Sequence, residues 1–141
     1  MPFSIKRKKT REIKVGNVSV GGTAPVRVQS MTNTFTQDVQ STVAQIRRLE
    51  KAGCEIVRVA VPDSEAAWAI SPIKRQISIP IIADIHFDYR LAIASAKSGA
   101  DGLRINPGNI GGKDKIKRSE QINMPHGAFH HCFRACAMVF F

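Results

Sequence analysis

Short β-branched runs alternate with helically spaced apolar residues through the middle of this chain, and few folds accept that order. Val26–Gln29 is a short apolar strand followed by a polar loop, Ser30–Thr36. Val39, Val43, Ile46 and Leu49 then recur at helical spacing, with Thr36 or Asp38 able to cap the start and Gly53 able to stop it. Ile56–Val61 is nearly continuous in β-branched residues, as a parallel strand buried on both faces requires. Asp63 or Ser64 opens a second helix, which Pro72 is expected to kink or split. Strand Ile81–Ile85, a helix from Asp88 through Leu91, Ile93 and Ala96 to Gly99, and strand Leu103–Ile105 complete the series, ahead of a Pro107-Gly108 loop.

Strand, helix, strand, helix with short connections means βαβ units on a parallel sheet. The string Gly53-Cys54-Glu55-Ile56-Val57-Arg58 is echoed by Gly99-Ala100-Asp101-Gly102-Leu103-Arg104, two βα units later. A doubly wound open sheet would carry a glycine-rich turn after its first strand, and none stands there. The expected fold is therefore α/β: the N-terminal half, about four βα units, of a TIM (β/α)8 barrel. Ahead of it, Ile13–Val15 and Val18–Val20 flank Gly16-Asn17 as a small β-hairpin.

Strand parity singles out the chemistry. Side chains two apart share a face, so Arg58 points with Ile56 and Ala60, and Arg104 with Gly102 and Asn106. Asp84 and His86 share one face of the strand between them. A (β/α) barrel draws each interior layer from alternate strands, which puts both arginines at similar depth near the C-terminal rim. A guanidinium pointed inward costs several kcal/mol, in order of magnitude, unless an anion or carboxylate meets it. The pair therefore suits bidentate phosphate binding, with His86 as hydrogen-bond donor to the phosphate or as proton shuttle. Asn106 and the glycine-rich turn after it offer amide donors to an anion. The alternative is an ion pair of either arginine with Asp84.

Four strings carry a family resemblance: Val28-Gln29-Ser30-Met31-Thr32-Asn33-Thr34, Ile56-Val57-Arg58-Val59-Ala60-Val61-Pro62, Ala83-Asp84-Ile85-His86-Phe87-Asp88-Tyr89-Arg90 and Leu103-Arg104-Ile105-Asn106-Pro107-Gly108-Asn109-Ile110. In this order and spacing, from about Thr10 to about Lys117, the chain resembles the 4-hydroxy-3-methylbut-2-enyl diphosphate synthase family. The resemblance implies a cytoplasmic, homodimeric enzyme of the methylerythritol phosphate route of isoprenoid (terpenoid) biosynthesis. Such an enzyme converts 2-C-methyl-D-erythritol 2,4-cyclodiphosphate reductively to 4-hydroxy-3-methylbut-2-enyl diphosphate. It also implies a [4Fe-4S] cluster on a C-terminal domain, with flavodoxin or ferredoxin as reductant. Arg58, His86 and Arg104 would contact the diphosphate; Asp84 and Asn106 would orient the substrate or its neighbours. No residue is singled out as certainly catalytic.

The ends of the chain depart from that pattern. Lys6, Arg7, Lys8, Lys9, Arg11 and Lys14 against Glu12 leave +5 of the chain's +10 in residues 1–14. This arm reads as a solvated leader, and contact with nucleic acid ranks last because no base-reading pattern accompanies it. Residues 15–117 are the expected partial barrel domain. Residues 118–141 hold three of the four His, two of the three Cys and four of the seven Phe, and they lose the helical pattern. A shifted frame, a decayed gene or a cloning artefact is the reading of that tail. His126, His130, His131, Cys132 and Cys136 lack the usual zinc spacing, and the family's cluster ligands are expected to be missing. Cys54 reads as a small buried hydrophobe. The expected whole binds diphosphate, does not turn over alone, exposes its first and fourth strands as open edges and has no apolar run long enough to span a membrane. A diphosphate-binding module without catalysis is the second reading.

Overall fold

The computed structural model describes residues 9–110, residue 114 and residues 137–140. Its elements run β1 (Ile13–Val15), β2 (Val18–Val20), β3 (Gln29–Met31), α1 (Val39–Lys51), β4 (Ile56–Ala60), α2 (Ser64–Lys74), β5 (Ile81–Ile85), α3 (Tyr89–Lys97), β6 (Gly102–Ile105), α4 (Pro107–Ile110) and β7 (Ala137–Phe140). β1 and β2 form an antiparallel hairpin, while β3-β4-β5-β6-β7 form one sheet in that order. β3 to β6 are mutually parallel. Among the described residues this is an α/β layer with an open sheet, the geometry of part of a (β/α) barrel rather than a closed one.

The helices start where an aspartate can satisfy their free amides. Asp38 accepts from the Ser41 N–H at 3.1 Å, Asp63 from Ala66 at 2.8 Å and Asp88 from Arg90 at 2.9 Å. Thr36, the other candidate cap for α1, is buried and donates to the Ala60 carbonyl at 2.6 Å. Pro72 does not split α2. It lies in the last turn, where it offers no N–H to the Trp68 carbonyl, and the helix closes two residues later at Lys74.

The sheet has two unlike faces. Val57, Val59, Ile81, Ala83, Ile85, Leu103 and Ile105 pack against α1, α2 and α3 as the main core. On the opposite face, Ile56 and Ile82 pack against Val15 of the hairpin, flanked by Ile13, Val18 and Val20. The hairpin therefore floors the N-terminal ends of the strands and leaves their C-terminal ends to polar residues.

The echoed strings do equivalent work. Glu55 accepts the Val28 N–H at 2.9 Å and pairs with Arg27 at 2.7 Å; Arg27 also donates to the Ser19 carbonyl at 2.9 Å. Asp101 accepts the Ile81 N–H at 2.9 Å and pairs with Lys74. Each carboxylate ties the start of its own strand to the start of a neighbour through a backbone amide, with a basic residue beside it.

Three further expectations are corrected. The first barrel strand is Gln29–Met31 rather than Val26–Gln29, because only those residues lie opposite β4 in the parallel register. Val26 and Val28 are 80% and 55% exposed. The Pro107-Gly108 loop is a short helix with Pro107 at its first position, where its missing donor and fixed φ do no harm. The fourth barrel strand, β6, is not an open edge: β7 pairs antiparallel along it, Ile105 opposite Ala137 and Gly102 opposite Phe140. Most of the N-terminal arm, and the His and Cys residues of the tail, lie outside the described residues.

Candidate active site

Three parallel strands bring the site together. Arg58 lies on β4, Asp84 near the C-terminal end of β5, His86 just past that end, Arg104 on β6, and Asn106 directly after it. All share the face that carries Ile56 and Ile82 lower down, as alternation along each strand requires. Ala60 and Gly102 on this face are small, which leaves room for two guanidinium groups.

Asp84 is the hub. Its side chain is 2% exposed and meets Arg104 Nη1 through Oδ1 at 3.0 Å and Arg58 Nη2 through Oδ2 at 3.5 Å; His86 Nε2 lies 3.8 Å from the same Oδ2. The arginines are about a quarter exposed and His86 43% exposed. The ion-pair alternative is present for both arginines: each meets the buried carboxylate, and two guanidinium groups face one carboxylate. Both guanidinium groups lie toward the mouth, where strand ends and solvent meet. A buried carboxylate that meets two guanidinium groups pre-orients them relative to each other.

The two arginines are not equivalent. Arg104 makes a hydrogen bond of 3.0 Å to Asp84. Arg58 shares Nη2 between Asp84 and the Met31 Sδ, each 3.5 Å away, and its Nε is buried without a hydrogen-bond partner. The register also corrects the expectation of equal depth. Arg58 lies opposite Ile82, which lies opposite Gly102, whereas Arg104 lies opposite Asp84. Arg58 therefore sits two residues deeper along the sheet and reaches up to the carboxylate that Arg104 meets side by side.

Around this cluster the loops are fixed by backbone bonds. The Thr32 N–H donates to the Arg58 carbonyl at 3.0 Å and the Val61 N–H to the Asp84 carbonyl at 3.1 Å. The Asn106 carbonyl accepts the Asn109 N–H at 3.1 Å, so that amide of the expected anion-binding turn is already used within the chain. Beside His86, a recess of about 400 Å³ is lined by Phe87, Asp88, Tyr89, Arg90 and Ile110. There Asp88 grips Arg90 through both carboxylate oxygens, holding the guanidinium above its ordinary range. Sequence reasoning gave no role to Met31; its contact with Arg58 crosses between strands, and a parity argument made one strand at a time does not reach it.

No grouping of three or more His, Cys, Asp or Glu among the described residues is placed to hold a metal. The Cys54 thiol is buried and donates to the Ile56 carbonyl at 3.1 Å, at the N-terminal end of the sheet. No helix of the described residues is long and apolar enough to cross a membrane.

Residues 10–127 match the family described as the GcpE TIM-barrel domain. The chain is 56% identical over 127 residues to the 4-hydroxy-3-methylbut-2-en-1-yl diphosphate synthase (flavodoxin) of Nitratidesulfovibrio vulgaris, covering 90% of this chain and 33% of that protein. It is 63% identical over 112 residues to the protein of the same name from Caldanaerobacter subterraneus subsp. tengcongensis (79% and 32% covered). With that of Pseudomonas paraeruginosa it shares 64% over 113 residues (80% and 30% covered). The chain thus spans about a third of the length of the curated relatives it matches.

Proposed function

The chain belongs to the GcpE TIM-barrel family, and from that premise we propose that Arg58, His86 and Arg104, organised by Asp84, are the diphosphate-holding part of a 4-hydroxy-3-methylbut-2-en-1-yl diphosphate synthase site. One observation carries the reading: two guanidinium groups and an imidazole from three adjacent strands converge on one buried carboxylate at the strands' C-terminal ends, where barrel enzymes keep their sites.

The substrate is a cyclic diphosphate of a methylated tetrol, and the reaction opens its ring reductively with loss of water. In the family's reaction a [4Fe-4S] cluster on a C-terminal domain would supply the electrons from flavodoxin, the reductant that the relatives' name carries. This chain's own share is binding. Arg58 and Arg104 neutralise phosphoryl oxygens with forked donors, Asp84 keeps the two forks aligned, and His86 donates a proton or hydrogen bond at the rim. Asn106 borders the same mouth and orients the organic part. By itself the chain binds without turnover.

Isothermal titration calorimetry of the full chain with 2-C-methyl-D-erythritol 2,4-cyclodiphosphate tests this. Saturable binding by wild type, abolished in Arg58→Ala/Arg104→Ala, is the expected result. Equal weak binding by both proteins would remove the diphosphate reading.

A further inference from the structure

Met31 ends β3, is 38% exposed, and lies at the mouth of the sheet with Sδ 3.5 Å from Arg58 Nη2. A thioether is a weak acceptor, and the contact of the same nitrogen with Asp84 is equally long. The buried Arg58 Nε has no hydrogen-bond partner at all. Arg58 is thus the loosely held arginine of the pair, and the sulfur beside it is the atom of its surroundings most easily changed by chemistry.

We propose that Met31 is an oxidation site coupled to the arginine cluster, at which conversion of the thioether to the sulfoxide re-aims Arg58 and weakens anion binding. The oxidant is a peroxide. Its O–O bond breaks, one oxygen is transferred to Sδ, the sulfur loses two electrons, and hydrogen peroxide is reduced to water. The product places a strongly accepting S=O oxygen within reach of Nη2 where a poor sulfur acceptor stood. A charge-assisted N–H···O bond then holds the guanidinium to Met31, and an incoming phosphate must displace it. The same geometry makes Met31 a positioning residue for Arg58 in the reduced state. The affinity effect rests on the diphosphate reading above; the re-aiming of Arg58 does not.

The test uses the full chain, wild type and Met31→Leu, before and after mild hydrogen peroxide. Peptide mass mapping locates the added oxygen, nitrogen-15 spectra follow the Arg58 Nε–H, and calorimetry with inorganic pyrophosphate measures affinity. In oxidised wild type, Met31 carries one oxygen, the Arg58 Nε–H resonance moves, and pyrophosphate affinity falls about fivefold, the scale of one modest hydrogen bond. Methionine sulfoxide reductase restores both. Peroxide-treated Met31→Leu keeps its resonance and its affinity. An unmodified Met31, an Arg58 resonance unmoved by its oxidation, or equal loss of affinity in both proteins would overturn the inference. If untreated protein takes up no pyrophosphate, the diphosphate reading fails alone, and the Arg58 resonance still decides the Met31 inference.

Discussion

Replacing Asp84 by Asn keeps the shape of the hub and removes its charge, which makes the energetics of the cluster measurable. The side chain is 2% exposed and sits between two guanidinium groups that are about a quarter exposed. Breaking a fully buried pair costs about 3–5 kcal/mol; solvent at the arginines reduces this, and Asp84→Asn should lower unfolding stability by about 2–3 kcal/mol. The share is unequal. Arg104 makes a 3.0 Å charge-assisted hydrogen bond, whereas Arg58 stands 3.5 Å away. Double-mutant cycles in urea, followed by far-ultraviolet circular dichroism, should give a coupling of about 1.5–2 kcal/mol for Asp84 with Arg104→Met. The cycle with Arg58→Met should give about 0.5–1 kcal/mol. Equal couplings, or two couplings near zero, would refute the idea that one arginine is fixed and the other loosely held.

Ile82→Ala empties the floor beneath Val15 and Ile56 and should cost about 2–4 kcal/mol in the same unfolding assay, with the hairpin amides losing hydrogen-exchange protection first. Gly21→Ala should destabilise by about 1 kcal/mol or more, because φ is +82° and the new Cβ would stand 2.6 Å from the Arg11 carbonyl oxygen; a neutral result would mean this turn is not held as described. The Val28 amide and Arg27 hold the Glu55 carboxyl below its ordinary 4.5. A depressed folded value gives stabilisation that is full above the unfolded value and lost as pH falls through the folded one. The stability gap between wild type and Glu55→Gln should therefore be present at neutral pH and close on acidification below about 4.5; a gap independent of pH would contradict the contact.

Much of the site was legible because strand parity is strict. Once Ile56–Ala60 and Gly102–Ile105 are strands, Arg58 and Arg104 must share a face with Ile56 and Gly102; Asp88 marks its helix start as plainly, whereas the choice between Thr36 and Asp38, and between Asp63 and Ser64, is made by the folded contacts. What escaped depends on contacts between distant segments. Val26 and Val28 look like a strand locally, but the register against β4 selects Gln29–Met31. The pairing of β7 on β6 follows from no local pattern, since it joins residues more than thirty apart. The offset that places Arg58 below Arg104 is likewise a property of pairing. Pro107 was read as a breaker, although the same residue fits the first position of a helix.

A titration of nitrogen-15-labelled chain with inorganic pyrophosphate, read at the arginine Nε–H resonances, bears most directly on the convergence of Arg58, Arg104 and His86 around Asp84. The account expects the Arg58 and Arg104 signals to move together and saturate at one dissociation constant, while Arg27, Arg47 and Arg90 stay in place. Movement confined to the basic residues before Ile13, or spread evenly over all the arginines, would contradict it.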